Sequence, residues 1–286
     1  VLQYERQILE QLSPEHSYLK GLLALSSGAA YEVTGQDEAA FRSFQEAKQI
    51  SHTFRNRTAE LSALKRLGDL AMRRGQLHQA AHSYRQALEL ARIRDHQLLP
   101  VATQTVSALG QVCYEWDQLE EAEGYLRQGV KLSRKLENPY DLLSNLQNLA
   151  RIYWIRGDRE SALHLRREAE QIMFESPPLP SMAARLAVQQ VRMYLCMGET
   201  QTAVLWAQVH GQDWKSDHLY PVELMKILWI RLWLAQENAS NAFETLKEAL
   251  PQARQAGRWG VVIELLVLQA LALALNRQVS PASIAL

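Results

Sequence analysis

The chain has 286 residues, 47% of them hydrophobic, enough to bury a large core as two ordinary domains or as one extended array. Lys plus Arg balance Asp plus Glu at 31 each, which excludes a general electrostatic pull toward nucleic acid or an anionic membrane. Two cysteines, Cys113 and Cys196, show no C-x-x-C spacing, so they argue against a disulfide framework and for a reduced, cytoplasmic setting.

The chain opens on "VLQYERQ", without an initiator Met or a basic and apolar leader, and reads as a fragment. From there a loose repeat runs to the end. Sliding "LGDLAMRRGQLHQAAHSYRQALEL" along the sequence brings a small residue back at Gly28, Gly68, Gly110 and Ala150. The register continues less faithfully through Val191, Ile230 and Gln269, in steps of 40, 42, 40, 41, 39 and 39. Twelve places later an alanine recurs without a miss at Ala40, Ala80, Ala122, Ala162, Ala203 and Ala242. A third small column holds Ala47, Ala87, Gly129, Ala169 and Ala249, and fails only at His210. The units fall at about 18–57, 58–99, 100–139, 140–180, 181–220, 221–258 and a truncated 259–286.

Each unit divides into two helices. The first carries apolar residues at helical spacing, as in Leu61, Leu64, Leu67 and Ala71. It ends at Gly35, Gly75, Gly157 and Gly198, residues suited to the left-handed position that stops a helix. Asp117 and Glu237 replace that glycine in two units, so those turns are expected to close by other chemistry. The second helix follows at once, as in Leu77, Ala81, Tyr84 and Leu88. Prolines fall between units (Pro100, Pro139, Pro177, Pro178, Pro180, Pro221), whereas Pro251 sits late in a second helix and predicts a kink or early stop there. A bend is expected between the fourth and sixth units, from the clustered prolines and from "HGQDWKSDHLYP". The most apolar run, "WGVVIELLVLQALALAL", is interrupted by Glu264 and Gln269 and is short for a membrane span, so it predicts a helix buried on both flanks.

Two helices approach closely only where one of them lacks a side chain, which explains why the small columns persist while the rest drifts. Enlarging Ala80 or Ala122 to Leu should cost ~1–3 kcal/mol by overpacking. The segments "LKRLGDLA … AAHSY" and "VSALGQVC … AEGYL" approximate W-x2-L-G-x2-Y … A-x3-F, so the units resemble tetratricopeptide (TPR) repeats, with about six residues more than that motif's 34. The reading is an all-α fold, a right-handed superhelical solenoid of about six to seven TPR-like hairpins with ~40-residue repeats, as one domain over 1–286.

The longer units and the phrases "LGQVCYEWDQLEEAEGYLRQGVKLS" and "GRWGVVIELLVLQALALAL" resemble a narrower group, the MalT-like repeat region of large LuxR-type, ATP-dependent transcription regulators. That resemblance covers essentially the whole chain. It implies a sensor that binds an inducer or regulatory protein and relays this to nucleotide-switch and helix-turn-helix domains lying outside the chain. No GxxxxGK[ST] occurs, so no cofactor is expected in this segment, and the parent would use ATP through another domain. The partners expected are a small-molecule inducer or a regulatory protein or peptide, with no direct nucleic acid or membrane binding and with room for self-association. A generic TPR scaffold for partner peptides is the alternative.

In such a stack the first helices line the concave wall. With the small residue as position eight, positions two, five, nine and twelve point inward. This selects Lys65 and Asp69 in the second unit, Gln104, Gln111 and Tyr114 in the third, Gln147, Arg151 and Trp154 in the fourth, Arg185 and Arg192 in the fifth, and Arg231 in the sixth. Amide and guanidinium donors beside aromatic rings suit a sugar, a peptide carboxylate or another polar metabolite.

Other constellations carry less. His78 and His82 have i,i+4 spacing but lack a Glu after the first His and a third ligand. Asp117, Glu120, Glu121 and Glu123 suit the dipole of a helix start. Cys113 and Cys196 lie in apolar periods as packing residues, and Trp116, Trp229 and Trp233 fall on slots facing neighbouring helices. The glycosylation-like triplets at Asn56 and Asn238 are discounted for want of any sign of secretion. No nucleophile–base pair or metal set emerges, so no enzyme is expected.

Overall fold

The computed structural model describes residues 18–93, 98–177, 180–210 and 219–279. Among them are thirteen α-helices and no strand; an isolated bridge pairs Arg92 with Leu98. The helices form successive hairpins: α1 (Tyr18–Val33) with α2 (Asp37–Thr53), α3 (Arg57–Arg73) with α4 (Leu77–Ala91), and α5 (Thr103–Glu115) with α6 (Leu119–Lys135). Then come α7 (Pro139–Ile155), α8 (Arg159–Glu175), α9 (Pro180–Cys196), α10 (Thr200–His210), α11 (Leu219–Ala235), α12 (Ala239–Gln255) and α13 (Trp259–Val279). The chain divides into two compact units, residues 1–145 and 146–286, with the division inside α7. The segments 178–179 and 211–218, on which the expected bend rests, lie outside the described residues.

The small columns do the packing. Ala40, Ala80, Ala122, Ala162, Ala203 and Ala242 have no solvent exposure at all. In the first unit each register glycine receives a bulky side chain from the second helix of its own hairpin. A Cβ added to Gly68 would lie 2.7 Å from Cδ1 of Tyr84, and one on Gly28 would lie 2.5 Å from Cδ1 of Phe44. At Gly110 the nearest atom is Cγ of Leu126, at 3.0 Å. Gly129, in the third small column, faces the next first helix, where a Cβ would stand 2.8 Å from Cγ of Asn145. Asn145 in turn donates to the Asp141 carbonyl at 2.7 Å, so its amide is pinned against that helix backbone.

The turns repeat one hydrogen-bond pattern. The amide three residues past each first helix reaches back five residues, as in Gln36 to Tyr31 (2.9 Å), Gln76 to Ala71 (2.8 Å) and Gln118 to Cys113 (2.9 Å). Gly35, Gly75, Gly157 and Gly198 supply the positive φ that this closure requires, from 72° to 84°. The expectation of a different chemistry at Asp117 and Glu237 is corrected: both adopt φ 59° and the same hydrogen-bond closure, so an L-residue bears the strain there. Asn56, Asp158 and Asn238 cap the helices they precede, accepting from Ala59, Ser161 and Asn241, which gives the two glycosylation-like asparagines a local structural role.

Two further expectations change. Pro139 and Pro180 are the first residues of α7 and α9, where the missing N–H costs nothing, but Pro251 does not stop α12, which runs on to Gln255. The apolar helix α13 is buried on one flank only. Val262, Leu265, Leu268 and Ala272 pack inward, while Ile263, Val267 and Leu271 remain more than half exposed. Its stretch Trp259–Asn276 is long and apolar enough to cross a membrane by length and composition, with mean hydropathy 1.9 and 28% of it buried.

Candidate functional site

In the first unit, the first helices of three successive hairpins contribute to one recess of about 290 Å³. Leu25, Ser26 and Ala29 enter from α1, Leu61, Ser62, Lys65 and Arg66 from α3, Val101 from the 3-10 turn before α5, and Gln104 from α5. The lining steps along the hairpins: α1 gives the fifth, sixth and ninth register positions, α3 the first, second, fifth and sixth, and α5 the second. Lys65 and Gln104, two of the residues selected from the sequence, both line this recess.

The charges of this recess are partnered. Lys65 Nζ donates to Asp69 Oδ2 at 2.7 Å, and the Tyr84 hydroxyl donates to the other oxygen at 2.8 Å. Burial alone would raise the Asp69 carboxyl, but Lys65, Arg66 and the Tyr84 hydroxyl outweigh it and hold the pKa below the ordinary value. Arg66 donates to Glu32 at 3.0 Å, and Gln104 donates to Asp141 at 3.2 Å. Arg66 and Ser26 were missed because they lie one place off the inward positions. The signal for Arg66 was available in its complement Glu32, 34 residues earlier and close to one repeat. Gln111 and Tyr114 lie half-buried farther along α5.

In the second unit the predicted residues separate. Gln147 is a correction: it has no exposure, and its amide donates to Gln190 Oε1 at 2.6 Å, so it ties two first helices together beneath the surface. Trp154 is half-buried with the Arg159 guanidinium 4.2 Å from its ring centroid, so one face of that aromatic platform is already covered. Arg151 is half-buried beside Asn148, and its charge works against the burial that raises the Cys196 thiol. Arg185 is exposed. Arg192 of α9 and Arg231 of α11 do converge, on a residue the sequence reading left out, Glu264 of α13.

The remaining constellations are structural. Burial and Glu121 push the Cys113 thiol up to about 11, which keeps it protonated at neutral pH and suits packing rather than nucleophilic attack. The His78 ring lies 5.0 Å from that of Trp116, and Trp229 lies 5.9 Å from Trp233; Trp116 and Trp233 pack against the apolar cores of their units. No group of three His, Cys, Asp or Glu that would hold a metal occurs among the described residues.

A family model described as the MalT-like TPR region matches residues 2–286. The HTH-type transcriptional regulator MalT of Serratia proteamaculans is 23% identical over 249 residues, covering 85% of this chain and 27% of that protein. The MalT regulator of Yersinia pestis is 26% identical over 154 residues, covering 54% of this chain and 17% of its own length. The chain therefore spans about a quarter or less of the relatives it matches. Among solved structures, the Rap conjugation gene regulator of plasmid pLS20 with the Phr* peptide matches 90% of this chain and 74% of its own (TM-score 0.63, 16% identity). NprR with its cognate peptide NprX matches 96% and 77% (TM-score 0.61, 14% identity). These likenesses show a shared TPR-type helical-repeat fold.

Proposed function

The chain belongs to the MalT-like TPR region family, and from that premise we propose that it is a non-catalytic sensing module of a transcription regulator. Its first-helix faces receive an inducer or a regulatory peptide. The carrying observation is the 290 Å³ recess shared by three hairpins, with Ser26, Ser62 and Gln104 as adaptable hydrogen-bonding groups and Leu25, Leu61 and Val101 as an apolar floor. A ligand seated there touches α1, α3 and α5 together. It therefore binds best when the spacing between hairpins has one value, and that preference is what a repeat array can pass along the chain to attached domains. The regulators among its relatives and the peptides named with the Rap and NprR structures support this reading. ATP use and DNA binding would belong to other parts of a longer protein.

The test is a thermal-shift screen of oligosaccharides, amino acids and short peptides, because a ligand at 100 times its Kd adds about 2.7 kcal/mol to stability. Filling the recess with Ser62→Trp should abolish the response to any hit while preserving the helical spectrum. If S62W responds as strongly as the parent chain, the recess is not the receptor. If only partner proteins bind, and no small ligand or peptide does, the chain is a scaffold.

A further inference from the structure

Among the described residues, only cations bring charge to the lining of the first unit's recess: Lys65 and Arg66 line it, and no carboxylate does. Their counter-ions, Asp69 and Glu32, are not part of that lining. Lysine carries three N–H donors and arginine five, and each pairing here takes a single one. Lys65 Nζ donates to Asp69, and Arg66 Nη1 donates to Glu32; their other N–H groups make no hydrogen bond among the described residues. The hydroxyls are the opposite case. Ser26 and Ser62 donate to the Leu22 and Thr58 carbonyls of their own helices, at 3.1 and 2.9 Å, so each has only lone pairs left to offer. Gln104 spends an N–H on Asp141 and keeps its oxygen as an acceptor. Leu25, Leu61 and Val101 supply the apolar part.

A ligand that answers all three features has an anionic group for the cations, an N–H for the hydroxyl and carbonyl oxygens, and an apolar side chain. A polyol suits this division poorly, since its hydroxyls pair best with groups that both give and take, and Gln104 alone among these uncharged polar side chains offers both. At about 290 Å³ the recess holds on the order of ten non-hydrogen atoms, taking each at a water's share of ~30 Å³. That is the size of one amino acid. We propose that the recess binds an apolar α-amino acid by its carboxylate, either free or as the last residue of a peptide. Lys65 Nζ and the unengaged edge of Arg66 donate to the carboxylate oxygens, the ligand's N–H donates to Ser62 Oγ or Gln104 Oε1, and its side chain lies on Leu25, Leu61 and Val101. The assignment rests on the reading of this recess as the receptor and names the ligand class it takes. The Lys65 side chain is only 11% exposed, so a carboxylate that reaches it leaves water behind and gains more from a charge-assisted bond than it would at the surface. Arg66, at 43%, is more open and contributes the weaker bond.

The experiment titrates the chain with N-acetyl-L-leucine, its C-terminal amide, N-acetylglycine, leucine and Gly-Gly-Leu, following the Gln104 side-chain amide signals by NMR. N-acetyl-L-leucine should bind about tenfold or more tightly than its amide, the worth of a charge-assisted hydrogen bond. It should also exceed N-acetylglycine by about tenfold, through burial of the leucine side chain. Arg66→Met leaves Glu32 its bond to Arg73, and should weaken the acid about threefold or more while leaving the amide unchanged. Lys65→Met should remove the advantage of acid over amide. Should K65M fail to fold, R66M and the acid–amide comparison in the parent chain still decide. Leucine acting as well as Gly-Gly-Leu identifies a free amino acid as the source; the peptide acting far better identifies a chain terminus. Equal affinity for acid and amide, or an R66M response identical to the parent's, overturns the assignment. If none of these ligands binds while another hit is lost in S62W, the recess receives a different class and the assignment alone falls. If none binds and no hit depends on Ser62, the receptor reading falls with it.

Discussion

The two compact units fill the space between the helices of a hairpin with different distributions of volume. In the first, the register position is glycine and the facing residue four places after the conserved alanine is large: Gly28 with Phe44, Gly68 with Tyr84, Gly110 with Leu126. In the second, the register position is Ala150, then Val191, then Ile230, and the equivalent facing positions are Arg166, Ala207 and Leu246. Where Val191 enlarges the register position, Ala207 shrinks the facing one, and both are 1% exposed. What the repeat holds constant is the filled space between helices, and either partner can supply it. The drift of the motif at Val191 and Ala207 is thus an exchange of volume rather than a loss of the fold.

The units also differ in how they tie hairpins together. Glu32 of the first unit takes Arg66 and Arg73 on different oxygens, at 3.0 and 2.6 Å, and Arg73 reaches Asp37 as well, so the charges are spread over a buried network. Glu264 of the second unit takes both its arginines on one oxygen.

The sharpest way to break this comparison is at Gly68. Gly68→Val should destabilise the chain by about 1–3 kcal/mol in chemical denaturation, because its side chain collides with the Tyr84 ring. If volume exchange is the rule, adding Tyr84→Ala should recover part of the loss, with a coupling energy of about 1 kcal/mol or more in the double-mutant cycle. Strict additivity would show that the two units do not obey one packing rule.

A smaller effect separates the two charge arrangements. Glu264 has a depressed pKa in the folded state, so its contribution is fully present above its unfolded value and is lost as pH falls through the folded one. Stability measured below the ordinary glutamate range should therefore drop with falling pH, and Glu264→Gln should flatten that part of the profile. An unchanged slope in E264Q would mean that the pair contributes nothing to folding.

The smallest expected change concerns the turns. Asp117 holds φ 59° where four of the other hairpins use glycine, so Asp117→Gly should stabilise by up to about 1 kcal/mol, read as a raised melting temperature. A loss of stability would show that the Asp117 side chain does more in that turn than endure it.

Much of the fold was legible because its determinants are local or strictly periodic. The alanine column from Ala40 to Ala242 marks the close approach of helices, and Gly35, Gly75, Gly157 and Gly198 mark turns through their backbone freedom alone. The candidate site was less legible. Register placed Lys65 and Gln104 at a common recess and Arg192 beside Arg231, but it set Gln147 on an open wall when its amide is buried against Gln190. It also missed Glu264, which sits off the inward positions and acts through a partner 72 residues away. The flanks of α13 were misread for a related reason. Uniform apolarity has no period, so it cannot say which side has a neighbour.

The sequence by itself determined the all-helical class, the forty-residue pitch, the hairpins and the columns where side chains must be small, because each depends on local propensity or on a spacing repeated along one chain. Only the tertiary structure decided which polar groups on the first helices are open, which are neutralised and which are sealed. Those outcomes depend on the partner supplied by another hairpin, and Coulomb attraction and desolvation act on the distance in space between groups, whatever their separation along the chain.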